Sequence, residues 1–357
     1  MLGAEAAAAI GVQAGLLGQS FRKAIIVFAI TAIVFGALAI FTSLNVKWIE
    51  AAHPPAGHFV EVEGGRLHVV EMGKSDRPAL VLLHGATTNL EDMRLALGAR
   101  LAADHHVVLI DRPGHGYSDR PDGAADASPV RQAQLVHQAL QRLKISSPIL
   151  VAHSWSGSLS LAYALEFPAE VKGLLLLAPV TNPWPPKSVA WHDTVIETLL
   201  ALIARSGAAP ILGPFFAHTL ALPFGKLAMG FGIRSVFWPQ QPPADYVDAA
   251  AAELFLRPSE FVANAEDISK VQDYLTEQAP RYPTIRVPTV IVVGDSDSAL
   301  DADVHSKTVA KQLPNAKLIV LHGAGHMVHF ADPDRVVQAL SELADMTEQR
   351  TSNAVSR

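Results

Sequence analysis

Short, wholly apolar segments recur along this chain and alternate with stretches whose apolar residues follow helical spacing. The apolar segments are residues 79–83, 107–110, 149–151, 173–177, 289–293 and 318–321, and an alternating hairpin pattern at 58–73 precedes them. Ser128-Pro129 and Asp332-Pro333 are typical helix starts, with a capping side chain before a first-turn proline. Buried strands that alternate with helices predict an α/β fold, with a mostly parallel twisted sheet and helices on both faces.

The stretch from 181 to 282 interrupts this alternation. It has no strand pattern, and its prolines cluster at 183–186 and 239–243, with helical segments between them. We predict a helical cap at 181–282, inserted into an α/β core that comprises residues 58–180 and 283–347 and covering the carboxyl end of the sheet. Residues 348–357 are predicted to be a tail.

A segment without any charged residue, Ala24–Leu44, lies near the start of the chain. At about 1.5 Å per residue it is long enough to cross a bilayer core of about 30 Å. We therefore predict a tail at 1–20, a transmembrane anchor at 21–44 and a linker at 45–57. Arg22 and Lys23 place the amino terminus in the cytoplasm and the catalytic domain on the periplasmic or extracytoplasmic side. A cleaved signal peptide and a buried core helix are the alternatives.

The amino-acid composition excludes several kinds of chemistry. The chain has 357 residues, a net charge of −6, no long basic run and no cysteine. These features exclude disulfides, thiolate metal sites and a cysteine nucleophile, and nothing indicates nucleic-acid binding. Four histidines were considered as metal ligands, namely His84, His115, His153 and His329. No two of them share a helix face at metal-ligand spacing, so a structural role is favoured and no metal or cofactor is predicted.

Pro148–Ser158 has the pattern of a strand, a sharp turn and a helix. A serine at such a turn stands above the sheet edge as a nucleophile, and the residues two places before and after it must be small. Ser154 meets this condition with Ala152 and Ser156, and Gly157 falls where the helix must approach the strand. Ser156 fits a second frame of the same kind, and Ser154 as a simple helix cap is the structural alternative.

A serine nucleophile needs a base, and the base needs an orienting acid. Asp297 follows the apolar strand 289–293, and His326 follows the strand 318–321. The carboxyl ends of parallel strands border the ligand crevice of an open α/β sheet, so these loops should converge with Ser154. Asp295 is the alternative acid.

With these motifs in this order, the chain resembles the α/β-hydrolase superfamily over about residues 58–345. The motifs that carry the resemblance are His84-Gly85, Asp111-Arg112-Pro113-Gly114-His115-Gly116-Tyr117-Ser118, Ala152-His153-Ser154-Trp155-Ser156-Gly157, Gly294-x-x-Asp297 and Gly325-His326. The family inserts its cap between the sixth and seventh strands, which matches 181–282. Ala152 and Ser156 depart from the pattern, since glycines are commoner at both places.

The resemblance implies that Ser154 is the nucleophile, His326 the base and Asp297 its partner. It also implies an oxyanion hole made by the backbone N–H groups of Ala86 and Trp155. Asp111 and Arg112, in the second motif, are expected to hold their loop together rather than to touch substrate.

The serine itself limits the reaction. Relatives with a similar Asp-Arg-Pro-Gly-His-Gly loop use an aspartate to attack alkyl carbon, whereas a serine there would form an ether that water does not cleave. We therefore expect hydrolysis of a carboxylic ester, or of a related small apolar acyl substrate, through an acyl-enzyme. C–C bond hydrolysis of ring-cleavage products and a receptor-like binding protein are the alternatives. Protein partners are not predicted. The cap aromatics could line an acyl pocket or form the core of the cap; they are Phe215, Phe216, Phe224, Phe231, Phe237 and Trp238.

Overall fold

The fold is built on one eight-stranded sheet, seen in a computed structural model that describes residues 2–185 and 208–355. The strands are β1 (His58–Val62), β2 (Gly65–Met72), β3 (Ala79–Leu83), β4 (His106–Ile110), β5 (Ile149–His153), β6 (Gly173–Leu177), β7 (Thr289–Gly294) and β8 (Ala316–Leu321). Their order is β1-β2-β4-β3-β5-β6-β7-β8. The first two pairings are antiparallel and the rest parallel. The predicted fold class is confirmed.

The central strand β5 lies between β3 and β6. Ala152 pairs with Leu83 on one side, and His153 pairs with Leu177 on the other. Every residue of β5, β6 and β7 is buried, which explains why these strands are apolar runs rather than alternating patterns. Since β5 to β8 are parallel, the loops after their carboxyl ends meet at one edge of the sheet.

Helices cover both faces of the sheet. After the amino-terminal helix α1 (Leu2–Ala52) they are α2 (Leu90–Met93, π-helical Arg94–Gly98 and Ala99–Ala102 in succession), α3 (Pro129–Arg142), α4 (Ser156–Glu166), α5 (Leu212–Phe216, π-helical Ala217–Ala221 and Leu222–Phe237 in succession), α6 (Tyr246–Ala249), α7 (Pro258–Gln278), α8 (Ser306–Gln312), α9 (Val328–Ala331) and α10 (Pro333–Val355). Two apolar clusters, one on each face, form the core. The Ser128 side chain accepts from the Arg131 N–H and caps α3, as its sequence predicts.

The insertion lies between β6 and β7, where the sequence places it. Its described part contains α5, α6, α7 and short 3₁₀ turns. Residues 186–207 of the predicted cap lie outside the described residues. The last helix, α10, continues through most of the predicted tail at 348–357, because nothing in the sequence breaks the helix after the apolar face that packs Val336, Leu340 and Leu343.

Helix α1 is longer than the predicted anchor and includes the predicted tail from Leu2 onward. Two helical stretches among the described residues are long and apolar enough to cross a membrane, Phe21–Ala52 and Leu212–Phe237. The segment 45–57 does not behave as a free linker. Ile49 is buried, and the carbonyl of His53 accepts from the Tyr117 hydroxyl, so the end of α1 is attached to the core.

Candidate active site

Ser154 occupies a strained turn between β5 and α4. Its φ is +52°, in the left-handed region that non-glycine residues rarely adopt. The turn is held by backbone hydrogen bonds, in which the Ser154 N–H donates to the Leu177 carbonyl at 2.9 Å and the Ser154 carbonyl accepts from Val180 at 2.9 Å. Strain that the surrounding backbone maintains is typical of a nucleophile lifted above a sheet.

The small residues around Ser154 are required by the packing. A Cβ on Gly157 would lie 2.4 Å from the Cβ of Pro179, closer than any side chain can approach. Ser156, the alternative nucleophile, is fully buried, and its hydroxyl donates to the His84 carbonyl. Its oxygen is therefore committed to the backbone, while the Ser154 hydroxyl faces a base.

The structure brings Ser154, His326 and Asp297 together. The Ser154 Oγ lies 3.0 Å from the His326 Nε2, and the His326 Nδ1 lies 2.8 Å from the Asp297 Oδ2. All three side chains are largely screened from solvent. A carboxylate that accepts from Nδ1 leaves the lone pair of Nε2 directed at the hydroxyl, which is the arrangement a general base needs.

The two candidate acids have separate partners. The second oxygen of Asp297 accepts from the backbone N–H groups of Ala299 and Leu300, which fixes the carboxylate. Asp295 instead accepts from the exposed His322, and that hydrogen bond lowers the pKa of its carboxyl. Of the two candidate acids, only Asp297 contacts the imidazole of His326.

The loop after β3 lies directly against the turn at Ser154. A Cβ on Gly85 would come within 3.1 Å of the Ser154 Cβ, so the backbone here approaches as closely as glycine allows. Within the described residues, neither the Ala86 nor the Trp155 backbone N–H has an acceptor. Both groups predicted for the oxyanion hole are therefore free to donate.

A buried ion pair supports this loop, and its second member, Asp267, was not predicted from the sequence. The Arg112 guanidinium donates to Asp267 of the cap helix α7 at 2.7 Å and to the Gly85 carbonyl at 3.2 Å. It also lies 4.3 Å from the centre of the Trp155 ring. Asn264, one turn earlier on α7, accepts from the Thr87 N–H at 2.8 Å. Arg112 also lies 3.1 Å from the His115 Nε2 of its own loop, and it joins the cap to both sides of the predicted oxyanion hole.

Two buried histidines near this loop, His84 and His153, serve as neutral hydrogen-bonding groups. Burial, with help from the nearby Arg112 charge, lowers the pKa of His84 to about 4. Its Nε2 accepts from the Arg112 N–H at 3.0 Å, and its Nδ1 lies 2.8 Å from the Gly85 carbonyl. Protonation at Nε2 would remove that acceptor. Burial also lowers the pKa of His153 well below its usual range.

One histidine cluster has the composition of a metal site. Ligand atoms of Asp92, His153 and His329 lie within 4.8 Å of one another. Both oxygens of Asp92 are already engaged, one with His329 at 3.0 Å and one with the Tyr246 hydroxyl at 2.6 Å. These contacts fit a hydrogen-bonded bridge between the loop after β8 and the cap better than a ligand set.

The cap aromatics follow neither predicted role as a group. Phe237 is buried in a small core with Tyr246, as one prediction has it. Phe215, Phe224, Phe231 and Trp238 are exposed. Of these, Phe231 and Trp238 line an open groove of about 480 Å³ that reaches Ser298, the neighbour of Asp297.

Comparison with known proteins agrees with this fold. The model of the alpha/beta hydrolase fold family matches residues 78–333. Lipase 1 of Psychrobacter immobilis is 25% identical over 285 residues, which cover 79% of each chain. Two solved structures share the fold. A membrane phospholipase A, described as a bacterial virulence factor, has a TM-score of 0.59, 20% identity and coverage of 92% of this chain and 99% of its own. The enol-lactonase of Burkholderia xenovorans LB400 has a TM-score of 0.62, 19% identity and coverage of 81% and 100%.

Proposed function

The chain belongs to the α/β-hydrolase family and is a hydrolase, and from that premise we propose that it is a serine hydrolase of carboxylic esters that acts through an acyl-enzyme. The observation that carries the proposal is the continuous set of contacts from Ser154 through His326 to Asp297, at 3.0 and 2.8 Å. Lipase 1 of Psychrobacter immobilis, by its name, acts on esters and supports the same reaction class.

The first half of the reaction acylates the serine. The His326 Nε2 takes the hydroxyl proton as the Ser154 Oγ attacks the ester carbonyl carbon. The carbonyl oxygen becomes an oxyanion that accepts from the N–H groups of Ala86 and Trp155. When the tetrahedral intermediate collapses, the proton on Nε2 passes to the leaving alcohol, and the acyl group stays on Ser154.

The second half repeats these steps with water. The neutral His326 removes a proton from a water molecule, whose oxygen attacks the acyl carbon, and Ser154 leaves with that proton. Asp297 keeps the Nδ1 proton in place and stabilises the imidazolium that forms in each half. The acid is released, and the three side chains return to their starting state.

Acyl substrates fit this nucleophile better than alkyl ones. An attack by the Ser154 Oγ on an alkyl carbon would end in an ether, which has no electrophilic carbonyl for water to attack. An acyl-enzyme keeps that carbonyl, next to the donors that stabilise it. Esters, including lactones, are therefore the proposed substrates, with small apolar acyl groups.

We also propose that α1 anchors the enzyme in a membrane through residues 21–44, with the catalytic domain on the extracytoplasmic side. The apolar stretch Phe21–Ala52 supports an anchor or a signal sequence. Arg22 and Lys23 at its start support the direction. Alkaline phosphatase fused after residue 57 should be active and remain with the membrane. An active fusion released into the soluble fraction would instead indicate a cleaved signal sequence.

The experiment that tests the reaction is labelling with a fluorophosphonate, followed by turnover of p-nitrophenyl esters of increasing chain length. Ser154→Ala should abolish labelling and lower kcat by about 10⁶-fold while the protein stays folded. Ser156→Ala is the matched control, the same substitution two residues away, and should keep most of the activity. Labelling without ester turnover would favour another acyl reaction, such as C–C hydrolysis. A folded wild type that neither labels nor turns over would favour a binding protein.

A further inference from the structure

The cap carries an exposed apolar surface that the proposed chemistry does not use. Along α5, Phe224, Leu227 and Phe231 follow the spacing of a single helix face, and Leu227 is 83% exposed. At the amino-terminal end of α5, Ile211 and Leu212 are 82% and 63% exposed. Large side chains in such a row are unfavourable in water and usually mark an interaction surface.

This surface is continuous with the apolar surface of α1. The ring of Phe215 on α5 lies 4.9 Å from the ring of Phe35 on α1. Farther along, Ile49 packs in one cluster with Leu222. Phe35, the buried Thr42 and Ile49 recur every seventh residue, so one face of α1 is covered by the cap while its other faces remain exposed.

The contact with Phe35 fixes the depth of α5. Phe35 lies near the middle of the segment 21–44 that we propose as the anchor. Residues 35–44 of α1 would extend about 15 Å through the bilayer, at about 1.5 Å per residue. An α1 that spans the membrane therefore carries Phe215, and the exposed Leu212 next to it, into the hydrocarbon.

The other end of the contact has the character of a membrane interface. Trp48 is exposed, and the Lys226 ammonium lies 5.3 Å above its ring and 3.2 Å from Glu253. Tryptophan and snorkelling lysine side chains are typical of the headgroup region. The stretch Leu212–Phe237 contains no acidic residue, and Arg234 gives it a positive charge that suits anionic lipid headgroups.

We propose that the amino-terminal half of α5 is a second membrane-inserted element, with Ile211, Leu212 and Phe215 in the hydrocarbon beside α1 and Phe224 and Leu227 at the headgroup level. The occupant of this surface is a lipid bilayer. The inference rests on the proposed anchor.

A functional consequence follows from the groove beyond it. Phe231 and Trp238 continue the apolar row and line the groove that reaches Ser298 beside Asp297. The row therefore leads from the proposed bilayer surface to the loop that carries Asp297, which suits an ester with an apolar tail.

The absence of cysteine from the chain allows a direct test of the depth. Single-cysteine variants of the full chain, labelled with bimane, are reconstituted into vesicles of phosphatidylethanolamine with a minority of phosphatidylglycerol. Lipids with a doxyl group near either the headgroup or the chain end, and iodide in the water, serve as quenchers. Leu212→Cys and Leu227→Cys are the test positions. Ile33→Cys is the reference on α1, and Val320→Cys on the edge strand β8 is the control outside the membrane.

The label at Leu212 should be quenched by the deep lipid quencher to the same extent as the label at Ile33. The label at Leu227 should respond to the shallow quencher, and the label at Val320 to iodide only. Quenching of Leu212 by iodide, with Ile33 still quenched by lipid, would leave the anchor intact and overturn the insertion of α5. Protection of Leu212 from both quenchers would show that a second copy or another protein covers it, which also overturns the proposal.

A label at Ile33 that lipids do not quench would remove the anchor and the proposal together. Fluorophosphonate labelling of the same vesicles reports on Ser154 independently. A failure of the membrane proposal can therefore be distinguished from a failure of the serine hydrolase proposal.

Discussion

Replacing Asp267 by alanine tests whether the cap and the sheet form one unit at the active site. Arg112 is completely buried, and Asp267 supplies the carboxylate that compensates its charge, at 2.7 Å. The remaining contacts of the guanidinium are neutral and include the Gln132 amide oxygen at 3.0 Å and the Gly85 carbonyl at 3.2 Å. Asp267→Ala therefore leaves a buried cation without a counter-charge.

Breaking such a pair costs about 3–5 kcal/mol of unfolding free energy, because the remaining charge stays desolvated. That is a large part of the total stability of a domain, which is about 5–15 kcal/mol. The control is Glu166→Ala, which removes the partner of the half-exposed Arg281 at 3.1 Å. Loss of this surface pair should cost about 1 kcal/mol or less.

Urea unfolding of the full chain in detergent micelles, followed by tryptophan fluorescence, measures both variants. A second readout separates stability from geometry. Since Arg112 also holds the Gly85 carbonyl next to Ala86, the kcat of folded Asp267→Ala should fall. The upper limit of this fall is about 10²- to 10³-fold, which is the loss expected when one oxyanion donor is removed. An Asp267→Ala variant as stable as Glu166→Ala, with unchanged kcat, would refute the reasoning.

Three further predictions concern single residues. Asp297→Asn should lower kcat by about 10⁴-fold in the ester assay, because the imidazole loses its orientation and its counter-charge, and Asp295→Asn should lower it far less; the reverse order would transfer the role to Asp295. Gly157→Ala should destabilise the fold by about 1–3 kcal/mol in the same urea titration, because the new Cβ has no space beside Pro179; an unchanged midpoint would contradict the packing. Since burial lowers the pKa of His84 from 6.5 to about 4, its contribution to stability is present above pH 6.5 and is lost as the pH falls toward 4, by about 1.4 kcal/mol per pH unit. His84→Gln should flatten that pH dependence by this slope, and an unchanged slope would assign it to other groups.

The sheet and the contacts among Ser154, His326 and Asp297 could be predicted from the sequence because both leave local signals. Strands that are buried on both faces must be apolar throughout, so the runs before Ser154 and Asp297 stand out from the helices around them. The turn at Ser154 demands small neighbours, and Gly157 shows the demand directly. The order of the motifs along the chain then suffices to predict that Ser154, Asp297 and His326 lie close together, because the carboxyl ends of parallel strands share one edge of the sheet.

The contacts that hold the loop after β3, which carries Ala86, left no such signal. Asp267 and Asn264 lie on a cap helix with an ordinary amphipathic pattern, where a polar residue usually faces water. Their partners, Arg112 and the Thr87 N–H, are more than a hundred residues away in the chain. The role of the aromatic residues of α5 was equally ambiguous, since an apolar helix face has the same sequence pattern whether it packs on a core, lines a pocket or contacts lipid.

These contacts change how the cap should be regarded. A cap that only selected substrates could be removed and leave the sheet domain intact. Here its helix α7 provides the counter-charge of a buried arginine that packs on the Trp155 ring, and its Asn264 binds the loop that carries Ala86. Removing the cap would therefore uncover the triad and at the same time release both sides of the oxyanion hole. The proposed nucleophile Ser154 is positioned by the sheet, but the backbone donors of the proposed oxyanion hole depend on contacts with the cap to stay in place.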